Sequence, residues 1–155
     1  MSTPALSDGE RIVLDTVALV YFVEQHPEYG PVARSIMERV QDGRLEAIVS
    51  SIALAELLVF PYRQNQPQVA HTLRIGLERF PNLTMVDVDA DIADEASRIR
   101  AKHNLRIPDA VHVATGLSRE VDWIVTNDYS LRRVASEGIR VWLFNEHLQG
   151  LQGTS

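Results

Sequence analysis

An α/β fold built on a mostly parallel sheet is predicted by three observations on this 155-residue chain. Short apolar runs rich in β-branched residues recur along it, several of them continuous rather than alternating, as in strands buried on both faces. Helical periodicities separate those runs, the βαβ signature of a sheet covered on both sides. No repeat, low-complexity tract or internal linker divides the chain, so one domain holds all of it.

Taken in order, strands are expected over 12–14, 45–49, 83–86, 123–125 and 139–143, five in all. Between the first two, Val32, Ile36 and Val40 recur every four residues and Gly43 ends that helix. The run 52–60 reads as one apolar helix carrying a single acid, Glu56. Val69, Leu73, Leu77 and Phe80 mark the next helix, and Ile92, Ala96 and Ile99 another. Ala110, Ala114 and Leu117 follow Pro108, a residue suited to a first helical turn. Residues 1–10 and 147–155 are expected to be flexible ends around a domain spanning 11–146.

Composition narrows the function. Hydrophobic residues make up 45% and charged ones 23%, as in a globular domain. The absence of Cys removes disulfide scaffolds, thiolate nucleophiles and Cys-ligated zinc, and suits a reducing compartment. The longest oily stretch, 12–23, is too short for a bilayer and contains Asp15, so a cytoplasmic protein without membrane contact is expected. A net charge of −6 argues against broad nucleic-acid binding but leaves room for a local basic patch.

Four acids stand in unusual company. Asp15 directly follows the first strand and Asp128 follows the fourth by two residues, so in a parallel sheet both leave by the same edge. Glu56 has only apolar neighbours at helical spacing; it faces packing or a site supplied by distant chain, or else stands at the margin of an amphipathic helix. Asp109 opens the largely apolar helix after Pro108. Singly, Asp15, Asp109 and Asp128 also read as caps or first-turn acids that complement a helix dipole. Jointly they admit a carboxylate cleft, which needs a cation to offset its repulsion; with oxygen donors alone that ion is Mg²⁺ or Mn²⁺. Such a cluster suits hydrolysis of a phosphodiester.

In this order, Leu14-Asp15-Thr16, Ala55-Glu56-Leu57, Pro108-Asp109-Ala110 and Thr126-Asn127-Asp128 resemble the PIN-domain ribonucleases, which include the toxins of VapBC-type toxin–antitoxin pairs. The likeness runs from Ile12 to about Phe144, with only a helical pattern shared over 61–102. It implies a five-stranded parallel sheet with helices on both faces and Mg²⁺- or Mn²⁺-dependent endonuclease action on single-stranded RNA. It implies further that Asp15, Glu56, Asp109 and Asp128 are the catalytic, metal-binding acids, with Thr16, Thr126 and Asn127 as supporting polar groups. A small antitoxin covering the cleft and a homodimer, to which Leu19, Val20 and Phe22 contribute, are implied too. Some relatives carry another acid soon after the last; here Leu131-Arg132 stands instead, leaving Asp128 alone on that side.

Among the bases, Arg106, Arg132 and Arg133 flank the acids and are candidate RNA contacts, or else members of solvated faces. Arg98 is expected to pair with Asp94 along its helix. His112 reads as a packed core histidine, and Tyr21 as core or interface. Other α/β classes fail on single residues. A receiver domain needs a Lys near its last strand, a haloacid-type phosphatase a second Asp where Val17 stands, and a nucleotide-binding ATPase a glycine-rich loop. A PIN-like module that only binds protein partners is the remaining alternative.

Overall fold

The computed structural model describes residues 5–152, with side chains described through 148. Five strands, β1 (Arg11–Leu14), β2 (Glu46–Ser50), β3 (Leu83–Val86), β4 (Trp123–Thr126) and β5 (Arg140–Leu143), form one all-parallel sheet in the order β3-β2-β1-β4-β5. The five expected strands are all present. Because successive side chains point to opposite faces, each central strand feeds two cores. Ile12, Leu14, Ala47, Val49, Trp123 and Val125 enter one; Val13, Ile48 and Ile124 enter the other.

Helices α1 (Thr16–Val23), α2 (Gly30–Gln41), α3 (Ser51–Leu57) and α5 (Pro67–Glu78) supply the first layer. Helices α6 (Ala90–His103) and α7 (Ile107–Ser118), with a 3₁₀ segment Tyr129–Glu137, supply the second. The expected helix over 52–60 is instead two, α3 and α4 (Val59–Arg63). Pro61 accounts for the break: it has no N–H to give Leu57, and its ring crowds that carbonyl. Gly43 ends α2 as expected, with φ at +80°.

The ends are better anchored than composition suggests. Leu6 is buried, and Arg39 holds it from α2, donating to the Leu6 carbonyl at 2.9 Å and to Asp8 at 2.8 Å. A last helix, α8 (Phe144–Gln152), crosses the position where a flexible tail was expected, and His147 stacks on Trp142 at 4.0 Å. Residues 1–4 and 153–155 lie outside the described residues. Leu19, expected to help a dimer form, is fully buried in the chain's own core, and Phe22 meets Phe80 edge-on.

Helix α7 is deeply set: Asp109 to Gly116 are all buried. Gly116 allows this, since a Cβ there would come within 2.7 Å of Val13 Cγ1 and 3.0 Å of Val121 Cγ2. The helix that carries Asp109 therefore presses directly on β1, the strand that carries Asp15.

Candidate active site

The strand order reverses at β1: β2 lies on one side and β4 on the other, and the chain after β1 and after β4 leaves to opposite faces. Such a switch point opens a crevice at the carboxyl edge of the sheet. There the structure has a cleft of about 660 Å³ lined by Asp15, Thr16, Tyr21, Glu56, Arg106, Asp109, Asn127, Asp128 and Tyr129 among others. Four segments far apart in sequence thus bring their acids to one cavity.

Their local roles separate capping from availability. Asp15 occupies the N-cap position of α1 but makes no side-chain cap hydrogen bond. Its backbone N–H is held by the Val125 carbonyl at 3.0 Å, and its Oδ2 accepts from the Thr126 hydroxyl at 2.6 Å. Thr126 also accepts the Asp128 N–H at 3.1 Å, so one buried hydroxyl ties the first acid to the last. Asp128 does cap, taking the Ser130 N–H on Oδ1 at 2.9 Å. Asp109, in the first turn of α7, is 4% exposed and is met by Arg106 Nε at 3.1 Å.

Glu56 is exposed and lines the cleft, so it does not face apolar packing and no buried charge has to be carried. It accepts from the Thr16 hydroxyl at 2.7 Å and lies 3.3 Å from His112 Nε2. Among the described residues no three Asp, Glu or His side chains are already drawn together as a metal cage. The four acids face one cavity without closing on each other.

A model of the PIN domain matches residues 12–137, most of the chain. This chain belongs to the PIN domain family. No curated protein matches it. Solved structures agree on the fold at low identity. VapBC from Salmonella typhimurium, solved bound to DNA, is 22% identical over 87% of this chain and 98% of the other, with a TM-score of 0.65. VapBC2 from Rickettsia felis, solved with a fragment of promoter DNA, is 20% identical over 84% and 96%, TM-score 0.66. VapC20 from Mycobacterium tuberculosis, described as a sarcin–ricin loop cleaving toxin, is 15% identical over 83% and 98%, TM-score 0.58.

Within this PIN fold the electrostatics are uneven. Burial pushes the Asp15 carboxyl above its ordinary range; His112 and Thr126 oppose that rise and the nearby Asp109 charge adds to it. Glu56 goes the other way, lowered chiefly by its hydrogen bond with His112 and further by Thr16. His112, which reads from the sequence as a packed core histidine although it could share the cleft of Asp109, meets both. It is fully buried, yet Nε2 stands 3.1 Å from Thr16 Oγ1, 3.3 Å from Glu56 and 3.5 Å from Asp15 Oδ1. Since the single Thr16 hydrogen goes to Glu56, Nε2 is the donor in this contact. Its spacing three residues after Asp109, on the same helical face, was the available signal.

The wall opposite is aromatic. Asn127 donates to the Tyr21 hydroxyl at 3.0 Å and accepts the Asn145 N–H at 2.9 Å; Asn145 in turn donates to Tyr129 at 2.8 Å. Tyr21 therefore borders the cleft as well as the core. The three arginines part company. Arg106 lines the cleft, Arg132 lies over the Tyr129 ring and pairs with Glu146, and Arg133 donates to the His103 and Asn104 carbonyls at the end of α6. Arg133, expected as an RNA contact, is engaged there away from the cleft lining. Arg98 pairs with Glu95 and Glu137 rather than with Asp94.

Proposed function

We propose that this PIN-domain chain is a metal-dependent endoribonuclease cutting single-stranded RNA, and the toxin of a toxin–antitoxin pair working in the cytoplasm. One observation carries the assignment. Four carboxylates from separate segments line one cleft, and one of the two buried ones, Asp15, occupies a cap position without capping.

Asp15, Glu56, Asp109 and Asp128 would hold Mg²⁺ or Mn²⁺. The donor set fits: it is all oxygen, as hard ions require, and a cation would relieve the strain of ionising Asp15 beside Asp109. When bound, such an ion supplies an activated water and neutralises charge on the phosphate.

The remaining work falls to the protein. Thr126 fixes Asp15 and the backbone of Asp128 together; Thr16 and His112 aim Glu56 into the cleft. Arg106, in the cleft lining, offers a forked guanidinium beside the acids, the geometry that suits phosphate, and Arg132 lies over Tyr129, which lines the same cleft. Asn127 stiffens the wall through Tyr21. Catalysis on this plan is largely positioning and charge neutralisation.

A small antitoxin partner is supported by the two VapBC structures already described. An apolar groove lined by Leu54, Leu58, Val59 and Tyr62 runs along α3 and α4, beside Glu56, and offers such a partner a path to the cleft. A homodimer belongs to the same proposal, formed through surfaces other than Leu19.

The deciding experiment is thermal unfolding of metal-stripped protein with and without Mn²⁺, for wild type and Asp15→Asn. At 100 times its Kd one ion adds about 2.7 kcal/mol, roughly 5–10 °C here. A shift in wild type that shrinks in D15N, followed by Mn²⁺-dependent cleavage of single-stranded RNA, is expected. No shift at millimolar Mn²⁺ would reject the nuclease and leave a module that binds partners.

A further inference from the structure

Arg106 stands where a cation is wanted. It is the N-cap residue of α7, three residues before Asp109, and its Nε lies 3.1 Å from Asp109 Oδ2. The two side chains differ in freedom: Arg106 is 76% exposed and Asp109 6%. The pair is a solvent-borne arm resting on a fixed carboxylate. The guanidinium also feels Asp128 and Glu56, acids on the other walls of the cleft.

Neither neighbouring arginine is placed like this. Arg132 is shared between Glu146 and Tyr129, and Arg133 is spent on two backbone carbonyls. Arg106 alone of the three takes its ion-pair partner from the cleft acids. With the guanidinium itself largely in solvent, Arg106 can leave Asp109 for another partner at little cost to its own hydration.

We propose that Arg106 is an internal counter-cation: it rests on Asp109 while the cleft holds no divalent ion, and moves from that carboxylate to an RNA phosphate once an ion is bound. The inference rests on the metal-dependent nuclease assigned above. Its physical basis is charge. A guanidinium a few ångströms from a divalent ion is repelled by it, and a five-donor planar fork released from a carboxylate matches a phosphate equally well. Arg106 thereby opposes metal binding before substrate arrives and adds to substrate binding afterwards.

The test titrates Mn²⁺ alone into metal-stripped full-length wild type, Arg106→Gln and Arg106→Lys by calorimetry. Binding of a fluorescein-labelled single-stranded RNA is then followed by anisotropy with Ca²⁺ in place of Mn²⁺. R106Q is expected to bind Mn²⁺ about 3- to 10-fold more tightly, from the removed repulsion. Its RNA affinity should fall about 3- to 10-fold, with the salt slope reduced by about 0.7. R106K, which keeps the charge, should bind Mn²⁺ like wild type. Unchanged or weaker Mn²⁺ binding by R106Q overturns the counter-cation and leaves the nuclease standing. Tighter Mn²⁺ with unchanged RNA affinity overturns the exchange. No Mn²⁺ binding by wild type overturns both the inference and the assignment beneath it.

Discussion

Asp15 and His112 make opposite demands on one small volume. Burial disfavours the Asp15 carboxylate, so in metal-free protein its charge works against the fold. Asp15→Asn should therefore raise the metal-free unfolding midpoint by a few degrees while removing stabilisation by Mn²⁺; calorimetry with and without the ion reads both, and a lowered metal-free midpoint would contradict it. His112 touches Glu56, Thr16 and Asp15 at once, so it acts on chemistry through the groups it holds. His112→Gln keeps a donor near that position, whereas His112→Phe does not. RNA cleavage should fall about 10- to 100-fold in H112F and less in H112Q, mostly in kcat, a loss of about 1.4–2.7 kcal/mol. Equal losses in the two variants would reduce His112 to packing. The four acids were legible in the chain because an acid beside strand ends or inside an apolar helix is out of place. His112 was only half legible: its spacing from Asp109 allowed a place at the cleft, but a histidine in an apolar helix looks the same whether its ring nitrogen meets core or cleft.

Elements carry the site by being held in register. Helix α7 is held closest, through Gly116 against Val13 and Val121. Gly116→Ala should cost about 1–3 kcal/mol in denaturant unfolding, since Val13 is wholly buried and has nowhere to move. A loss under 0.5 kcal/mol would mean the α7–β1 contact is looser than it stands. A second fastening joins the 3₁₀ segment to α6. Glu137 is enclosed by Arg98 at 2.7 Å, Lys102 at 3.1 Å and His103 at 2.8 Å. Those partners, Arg98 first, hold its carboxyl down to about 2. A carboxyl held below its unfolded value stabilises the fold at pH above about 4.5 and stops doing so as pH falls toward 2. Glu137→Gln should lose roughly 1–2 kcal/mol near pH 6 and show a flatter acid limb in a melt-versus-pH series. An acid limb identical to wild type would place the acid sensitivity elsewhere. Neither fastening was visible in the sequence, where Arg98 looked toward Asp94 along its own helix.

Across the whole molecule, a net charge of −6 limits how the proposed RNA substrate would be approached. With few arginines near the cleft, binding cannot rest on an extended basic face, and metal neutralisation has to supply part of the attraction. RNA affinity should therefore rise at least several-fold when Ca²⁺ is added at low salt. The slope of log K against log salt should stay near −2, about −0.7 for each of two or three phosphate contacts. A slope of −5 or steeper would mean that basic residues well beyond Arg106 and Arg132 reach the RNA.

The sequence by itself determined the layered α/β fold, because strand-length apolar runs alternating with helical periodicity leave few other ways to bury both faces of a parallel sheet. It also singled out four acids, two after strands and two in largely apolar helices. Only the tertiary structure decided which side of each acid matters: that Asp15 does not cap, that Glu56 is exposed, that Arg106 rests on Asp109 while Arg133 turns away. The reason is range. Periodicity and local composition are set by contacts within a few residues, whereas a cleft is made by four segments up to about a hundred residues apart, and their relative placement follows from strand order and close packing rather than from any local pattern.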